Sequence, residues 1–416
     1  MNRYESYKNS GIEWLGEIPS HWEIGRISAF FIERRIKVSD KDFPPLSVTK
    51  LGVFPQWENV AKTNDGDNRK LVRKGDFVIN SRSDRKGSSG VAKQDGSVSL
   101  INIVLQPKNI NSIYSEYLFK SYGFIEEFYR VGHGIVADLW TTRFEDIKNS
   151  LISIPSISEQ QKIAQYLDDK TAKIDQAIML EEKQIEQLKE YKQSLIQNAV
   201  TKGLNPHVKF KHSGVEWIGE VPEHWDITIG MNVFKENKRD NKGMKENTVL
   251  SLSYGKIIIK SKEKLVGLVP ESFETYQIVE PNDIIIRCTD LQNDQTSLRT
   301  GLAKDKGIIT SAYLNLKVIN NYSAKFLHYY LHTLDITKVL YKFGSGLRQN
   351  LSFLDFRRLP IVDLPFEEQH QIANYLDQQT SKIDHTIQIK QQQINKLKEY
   401  KTVLINGVVT GKVKVV

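Results

Sequence analysis

Apolar residues recur along two long stretches of the chain with the step of a helix. In "EQQKIAQYLDDKTAKIDQAIMLEEKQIEQLKEYKQSLIQNAVT", which begins at Glu159, they fall at Ile163, Leu167, Ile174, Ile178, Ile185, Leu188 and Leu195. In "EQHQIANYLDQQTSKIDHTIQIKQQQINKLKEYKTVLINGVVT", from Glu368, they fall at Ile372, Leu376, Ile383, Ile387, Ile394, Leu397 and Leu404. Steps of four, seven, four, seven, three and seven keep one stripe on a helix face. No Pro or Gly breaks either stretch before Asn198 or Asn406. Each therefore predicts a helix of roughly 40 residues, about 60 Å long at the ordinary rise. A helix of that length cannot bury its stripe inside one small domain. Two in one chain most simply bury their stripes against each other, which makes these positions the predicted helix-pairing residues.

Elsewhere the pattern shortens. Runs such as "FVIN", "SVSLINIVL" and "DIIIRC" read as strands. They alternate with helical stretches such as "SEYLFKSYGFIEEFYRV" and "SAKFLHYYLHTLDITKVLY", so mixed α/β globular units are predicted. The chain also repeats itself. "SGIEWLGEIPSHWEI" at Ser10 returns as "SGVEWIGEVPEHWDI" at Ser213. Weaker echoes follow in the same order: "KGDFVIN" with "PNDIIIR", "SGVAKQDGSVS" with "TGLAKDKGIIT", and "GHGIVADL" with "GSGLRQNL". The offset drifts from 203 to 212 residues and returns to 209, as small loop insertions in a shared fold would make it. "TKGLNPHVKF", with Gly203 and Pro206, reads as a helix stop and linker. The predicted organisation is a first globular domain over 1–157, a central long helix and linker over 158–205, a second globular domain over 206–364, and a C-terminal long helix over 365–416.

The halves agree in some regions and diverge in others. The opening phrase and the helices are nearly the same twice, whereas 30–75 and 230–275 share almost nothing visible. A repeated scaffold with a divergent middle suits two different recognition surfaces held in related poses. Trp14, Pro19 and Trp22, with Trp217, Pro222 and Trp225, read as a packing clamp between globular unit and helix, because large aromatics mostly supply buried area. An aromatic surface for stacking bases is the rival reading.

At 416 residues, two or more domains are expected. No apolar run is long enough to span a membrane, and "MNRYESYKNSG" lacks the core of a signal peptide, so a cytoplasmic protein is expected. The single cysteine, Cys288, allows neither an intramolecular disulfide nor a cysteine-cluster zinc site. A net charge of +8 favours a polyanionic partner.

The duplicated "SGxEWxGExPxHW", the glycine loop before "LSFLDFRRLPI", and the "EQxxIAxYL" helix starts together resemble the specificity subunit of type I restriction-modification systems. The resemblance spans both halves in order. It implies two globular target-recognition domains, each reading one half of a split site in double-stranded DNA. It also implies that the two long helices pair as an antiparallel coiled coil with an internal pseudo-twofold repeat. Those helices would set the gap and dock two modification subunits and, through them, restriction subunits. S-adenosylmethionine, ATP and Mg would then belong to the partner subunits, and no cofactor to this chain.

Base edges and phosphates are read mostly by Arg, Lys, Asn and Gln. The loop "NSRSDRKGSSG" gathers Arg82, Arg85 and Lys86 just after an apolar strand. Its counterpart "RCTDLQNDQTSLRTG" holds Arg287, Gln292, Asn293, Gln295 and Arg299. The glycine loops add His133 and Arg143 in one half, Arg348 and Gln349 in the other. Their glycines would either let backbone approach a phosphate or simply make a tight turn before a helix. Neither loop ends as a nucleotide-binding P-loop does.

Catalytic signatures are absent. His328 and His332 stand four apart on a predicted helix but lack a third metal ligand nearby, so they read as ordinary helix histidines. No G-x-S-x-G elbow or methyltransferase motif is visible. The sequence thus favours a non-catalytic DNA-recognition subunit. The alternative is a coiled-coil scaffold or adaptor whose globular domains bind protein.

Overall fold

The computed structural model describes residues 3–56, 66–134, 140–261, 272–289, 291, 298–343 and 350–415. The chain divides into two compact units, Met1–Glu182 with Gln391–Val416, and Lys183–Lys390. Each unit contains one globular part, the start of the long helix that follows it, and the end of the other long helix.

Both globular parts are built on a four-stranded antiparallel sheet with the same order. In the first unit the strands run Ser89–Val91, Phe77–Asn80, Asn102–Pro107, Phe31–Glu33. In the second they run Thr300–Leu302, Ile284–Ile286, Leu314–Val318, Phe234–Glu236. The central strand explains why "FVIN" and "III" show no polar alternation. Side chains of a strand point to opposite faces in turn, and here both faces are covered. Phe77 and Ile79 join the main core, while Val78 joins a second cluster with Leu46, Val53, Val72 and Val98. Ile284 and Ile286 likewise separate from Ile285, which packs with Leu250, Ile257, Val279 and Ile309. Helices Ser112–Phe119 and Tyr122–Arg130 complete the first main core, and Ala324–Ile336 the second.

The long helices span Ile157–Lys202 and Phe366–Val409. In the first unit Ile163, Leu167 and Ile174 are buried in one cluster with Leu404 and Val408 of the second helix, with Ile178 and Leu397 packed at its margin. In the second unit Ile372 and Leu376 share a cluster with Ile196 and Val200 of the first helix. Ile185, Ile383 and Ile394 are buried, and Leu188 and Ile387 half-buried. Polar rungs fix the direction. In the first unit Lys401 meets Asp175 at 2.7 Å and Lys398 meets Glu182 at 4.0 Å. In the second, Lys390 bonds Gln184 and Lys192 meets Asp384 at 2.6 Å. Numbers rise on one helix as they fall on the other, so the pairing is antiparallel.

The repeated Trp phrase is the clamp. Trp22 and Trp225 are fully buried. The Trp22 indole N–H donates to Glu159 near the start of the helix at 3.0 Å, and Trp225 donates to Glu368 at 3.1 Å. His21 and His224 reach the same carboxylates at 3.1 and 3.0 Å. Gly411, beyond the second helix, is so close to the first phrase that a Cβ would fall 2.2 Å from Pro19. Gly203, beyond the first helix, sits against Trp225 in the same way, at 3.2 Å. Each phrase thus binds the start of one long helix and the end of the other.

Candidate nucleic-acid interface

In the first unit the two loops that stood apart in sequence meet. The loop 81–88 leaves strand Phe77–Asn80 and returns as Ser89–Val91. The Ser83 N–H donates to the Trp140 carbonyl and the Thr142 N–H to the Ser81 carbonyl, both at 3.0 Å. His133 and Thr141 exchange two backbone bonds of 2.9 Å, and Arg82 bridges to Thr141. Arg82, Thr141 and His133 thereby lie side by side on one small ladder. A Cβ on Gly132 would stand 2.5 Å from the Trp140 ring, so this glycine is accounted for by internal packing.

The side chains on this surface differ in how far they are already engaged. Arg82 and Arg143 are exposed, and among the described residues neither makes a side-chain ion pair. Lys86 pairs with Glu126 at 2.7 Å, His133 with Asp146 at 3.2 Å, and Arg85 with its neighbour Asp84 at 3.6 Å. All are pairs in which at least one partner faces water, where an ion pair contributes little and exchanges readily for a phosphate. The stem beneath is fixed more firmly: Tyr129 donates its hydroxyl to the Asn80 carbonyl at 2.8 Å, and burial pushes that phenol up to about 12.

The second unit repeats the junction with other residues. The Leu351 N–H donates to the Cys288 carbonyl at 2.9 Å, the counterpart of Thr142 and Ser81. Gln292, Asn293, Arg348 and Gln349 lie outside the described residues. Arg287 is half-buried, and its N–H bonds the Arg299 carbonyl at 2.8 Å.

Arg299 is the residue whose placement departs from the sequence reading. It is fully buried, so its guanidinium is not offered to DNA. Its Nη1 donates to the carbonyls of Arg287 at 3.2 Å and Thr289 at 2.8 Å, and its Nε to the Tyr341 hydroxyl at 3.1 Å. Its own N–H donates to Asp335 at 2.6 Å. Its role is internal: it ties the stem of the longer loop to the helix behind it. Eight residues separate the two strands in the first unit and thirteen in the second. In the shorter loop Tyr129 reaches the Asn80 carbonyl directly; in the longer one Arg299 stands between Tyr341 and the equivalent carbonyl of Arg287. Residue type alone marked Arg299 as a reader. Its place one residue before a buried strand was the signal for burial.

His328 and His332 have ring centroids 6.1 Å apart, and burial, the largest cause for both, pulls them down to about 3 and about 4. Among the described residues no group of three or more His, Cys, Asp or Glu is placed to hold a metal, and no helix is long and apolar enough to cross a membrane.

Two domains of one fold, each joining two loops of different make-up above a common stem, define a class of paired recognition domains on a helical scaffold. A family model described as "Type I restriction modification DNA specificity domain" matches residues 19–190. The putative type I restriction enzyme MjaX specificity subunit of Methanocaldococcus jannaschii is 24% identical over 99% of this chain and 97% of its own length. The MjaVIII specificity subunit of the same organism is 27% identical over 96% of this chain and 94% of its own. A chain from a structure titled for complex assembly and conformational transition of the type I R-M system superimposes with a TM-score of 0.70 at 14% identity, over 94% of this chain and 98% of its own. The HsdS subunit from Thermoanaerobacter tengcongensis gives 0.53 at 16%, over 95% and 98%. Residues 19–190 are thus similar to a type I restriction modification DNA specificity domain. The chain as a whole shares the fold, and nearly the full length, of specificity subunits of type I restriction-modification systems.

Proposed function

We propose that the chain is the DNA sequence-specificity subunit of a type I restriction-modification complex, each globular domain reading one half of a split site. The observation that carries this is the matched junction: Ser81 with Thr142, and Cys288 with Leu351, hold two loops together at the same place on the same sheet, while the loops themselves differ. A shared frame with unlike loops is what two half-sites of unlike sequence require. Arg82, Arg85, Lys86, His133 and Arg143 would face the first half-site, and Arg287 the second. The paired helices would set the gap and dock two modification subunits, through which restriction subunits join. The chain itself would perform no chemistry: S-adenosylmethionine, ATP and Mg belong to the partners in this reading.

The test is binding of the chain, assembled with its modification subunits, to labelled duplex DNA at several salt concentrations. Affinity that falls steeply with salt and prefers one split motif supports the reading. Affinity without sequence preference sinks it and favours a protein-binding scaffold.

A further inference from the structure

Each unit carries a hairpin that its counterpart matches in place but not in sequence. Leu46–Thr49 pairs with Gly52–Pro55, and Leu250–Ser253 with Lys256–Ile259. The connecting residues are Lys50 and Leu51 in one, Tyr254 and Gly255 in the other. Leu51 is 85% exposed and Tyr254 91%, the two most exposed large apolar side chains among the described residues. Lys50 directly precedes Leu51 and Lys256 follows Tyr254 by two residues; both lysines are exposed, and among the described residues neither makes an ion pair.

Both tips lie beside the candidate reading loops. A Cβ on Gly90, just past the first loop, would stand 2.9 Å from the Gly52 Cα. A Cβ on Gly255 would stand 3.1 Å from a Leu298 methyl and 3.7 Å from the Thr300 carbonyl, at the end of the second loop.

The second tip is also costly for the chain. Tyr254 has φ 48° and Gly255 φ 73°, both in the left-handed region. Two-residue hairpin loops of this kind favour Asn-Gly, because a bulky residue crowds its own backbone there. An aromatic ring with almost no intramolecular packing gains nothing for the fold in that position. Strain without packing is the pattern of a residue kept for what it touches outside the fold.

We propose that the two hairpin tips are a second DNA-contacting element of the recognition domains. Lys50 and Lys256 take backbone phosphates, while Leu51 and Tyr254 press against base edges or the groove wall of the half-site that their own domain reads. The inference rests on the DNA-recognition reading above. It also gives the divergent middle of each half, which contains both hairpins, a reason to diverge.

The test uses the full chain assembled with its modification subunits, and duplexes carrying the wild type's split motif with either half randomised. Leu51→Ser should weaken binding roughly tenfold and relax selection at one half-site only. Tyr254→Asn should do the same at the other, while its thermal midpoint holds or rises because Asn suits the turn. Lys50→Gln and Lys256→Gln should each lower the salt slope by about one without changing the motif. Wild-type preference retained unchanged in both Leu51→Ser and Tyr254→Asn overturns the hairpin inference alone. So does a loss of modification-subunit capture with DNA selection intact, which would make the tips protein contacts. A wild type without any split preference fails the domain reading instead.

Discussion

The indole nitrogen of Trp22 stands 3.0 Å from a carboxylate oxygen of Glu159, which also accepts from Tyr4 at 2.7 Å. Trp22 is fully buried and Tyr4 half-buried, and burial is the chief reason that the Tyr4 phenol lies far above its ordinary range. Removing the acceptor leaves a buried N–H unpaired, at about 1–3 kcal/mol. Glu159→Leu should therefore lower the unfolding free energy by that amount and the urea midpoint with it, with early exposure of Trp22 seen in fluorescence. An unchanged midpoint would show that the clamp is incidental.

The helix seam makes a separate prediction. Ile174 is 8% exposed and packs in the core that Leu404 and Val408 complete. Ile174→Ala should cost about 2–4 kcal/mol, because deleted methyl groups leave a cavity that rigid helices cannot fill. Ile383, equally buried, should respond alike. Reduced co-purification of modification subunits with either variant is the assembly readout.

Arg299 should be a stem residue, not a phosphate ligand. Arg299→Met keeps the aliphatic length but strands the carbonyls of Arg287 and Thr289, a loss of about 3 kcal/mol. Hydrogen exchange at Arg287, whose N–H bonds the Arg299 carbonyl, should accelerate. The salt slope for DNA binding should stay as in the wild type. Tyr129→Phe tests the equivalent tie in the first unit more gently, at about 1 kcal/mol.

Acid should loosen the second unit before carboxylates titrate fully. His328 and His332 are held at about 3 and about 4 in the fold, against about 6.5 when unfolded. His328 faces His332, Lys304 and Asp377, and donates toward the Thr300 carbonyl; His332 faces Lys192. The unfolded chain binds protons first, so stability is whole above pH 6.5 and falls as pH drops through 6 and 5 toward 4. At pH 5 the loss should be on the order of 1–2 kcal/mol per histidine. His332→Leu should flatten that part of the stability profile, measured by urea titration at each pH; an identical profile would rule the pair out as its source.

Much of this was legible in the chain itself. The stripe from Ile163 onward, and its copy from Ile372, announced both helices because a long apolar period has few other meanings. The antiparallel sense came from resemblance, since a stripe carries no direction. Strands "FVIN" and "DIIIRC" were readable as apolar runs, but not the fact that Val78 and Ile285 serve a second core. Equivalent jobs done by unlike residues stayed invisible: Asp76 is held by Arg34, whereas its counterpart Asp283 is held by Asn237, which stands in Arg34's place, and by Arg239 two residues further on. The candidate reading loops were marked by composition, which does not distinguish an arginine offered to solvent, as Arg82, from one consumed inside, as Arg299. Nor did composition reveal that Leu51 and Tyr254 stand out from the surface, because exposure of an apolar side chain depends on what folds beside it.

The way the first unit is assembled has a consequence for synthesis. Its core borrows Leu404, Val408 and Val409 from residues 391–416, while residues 183–390 form their unit without interruption. On a ribosome the later-made half can therefore close first. The earlier-made half must wait with part of its oily interior uncovered until the tail arrives. Damage near residue 410 would be felt most at the opposite end of the sequence, around Trp22.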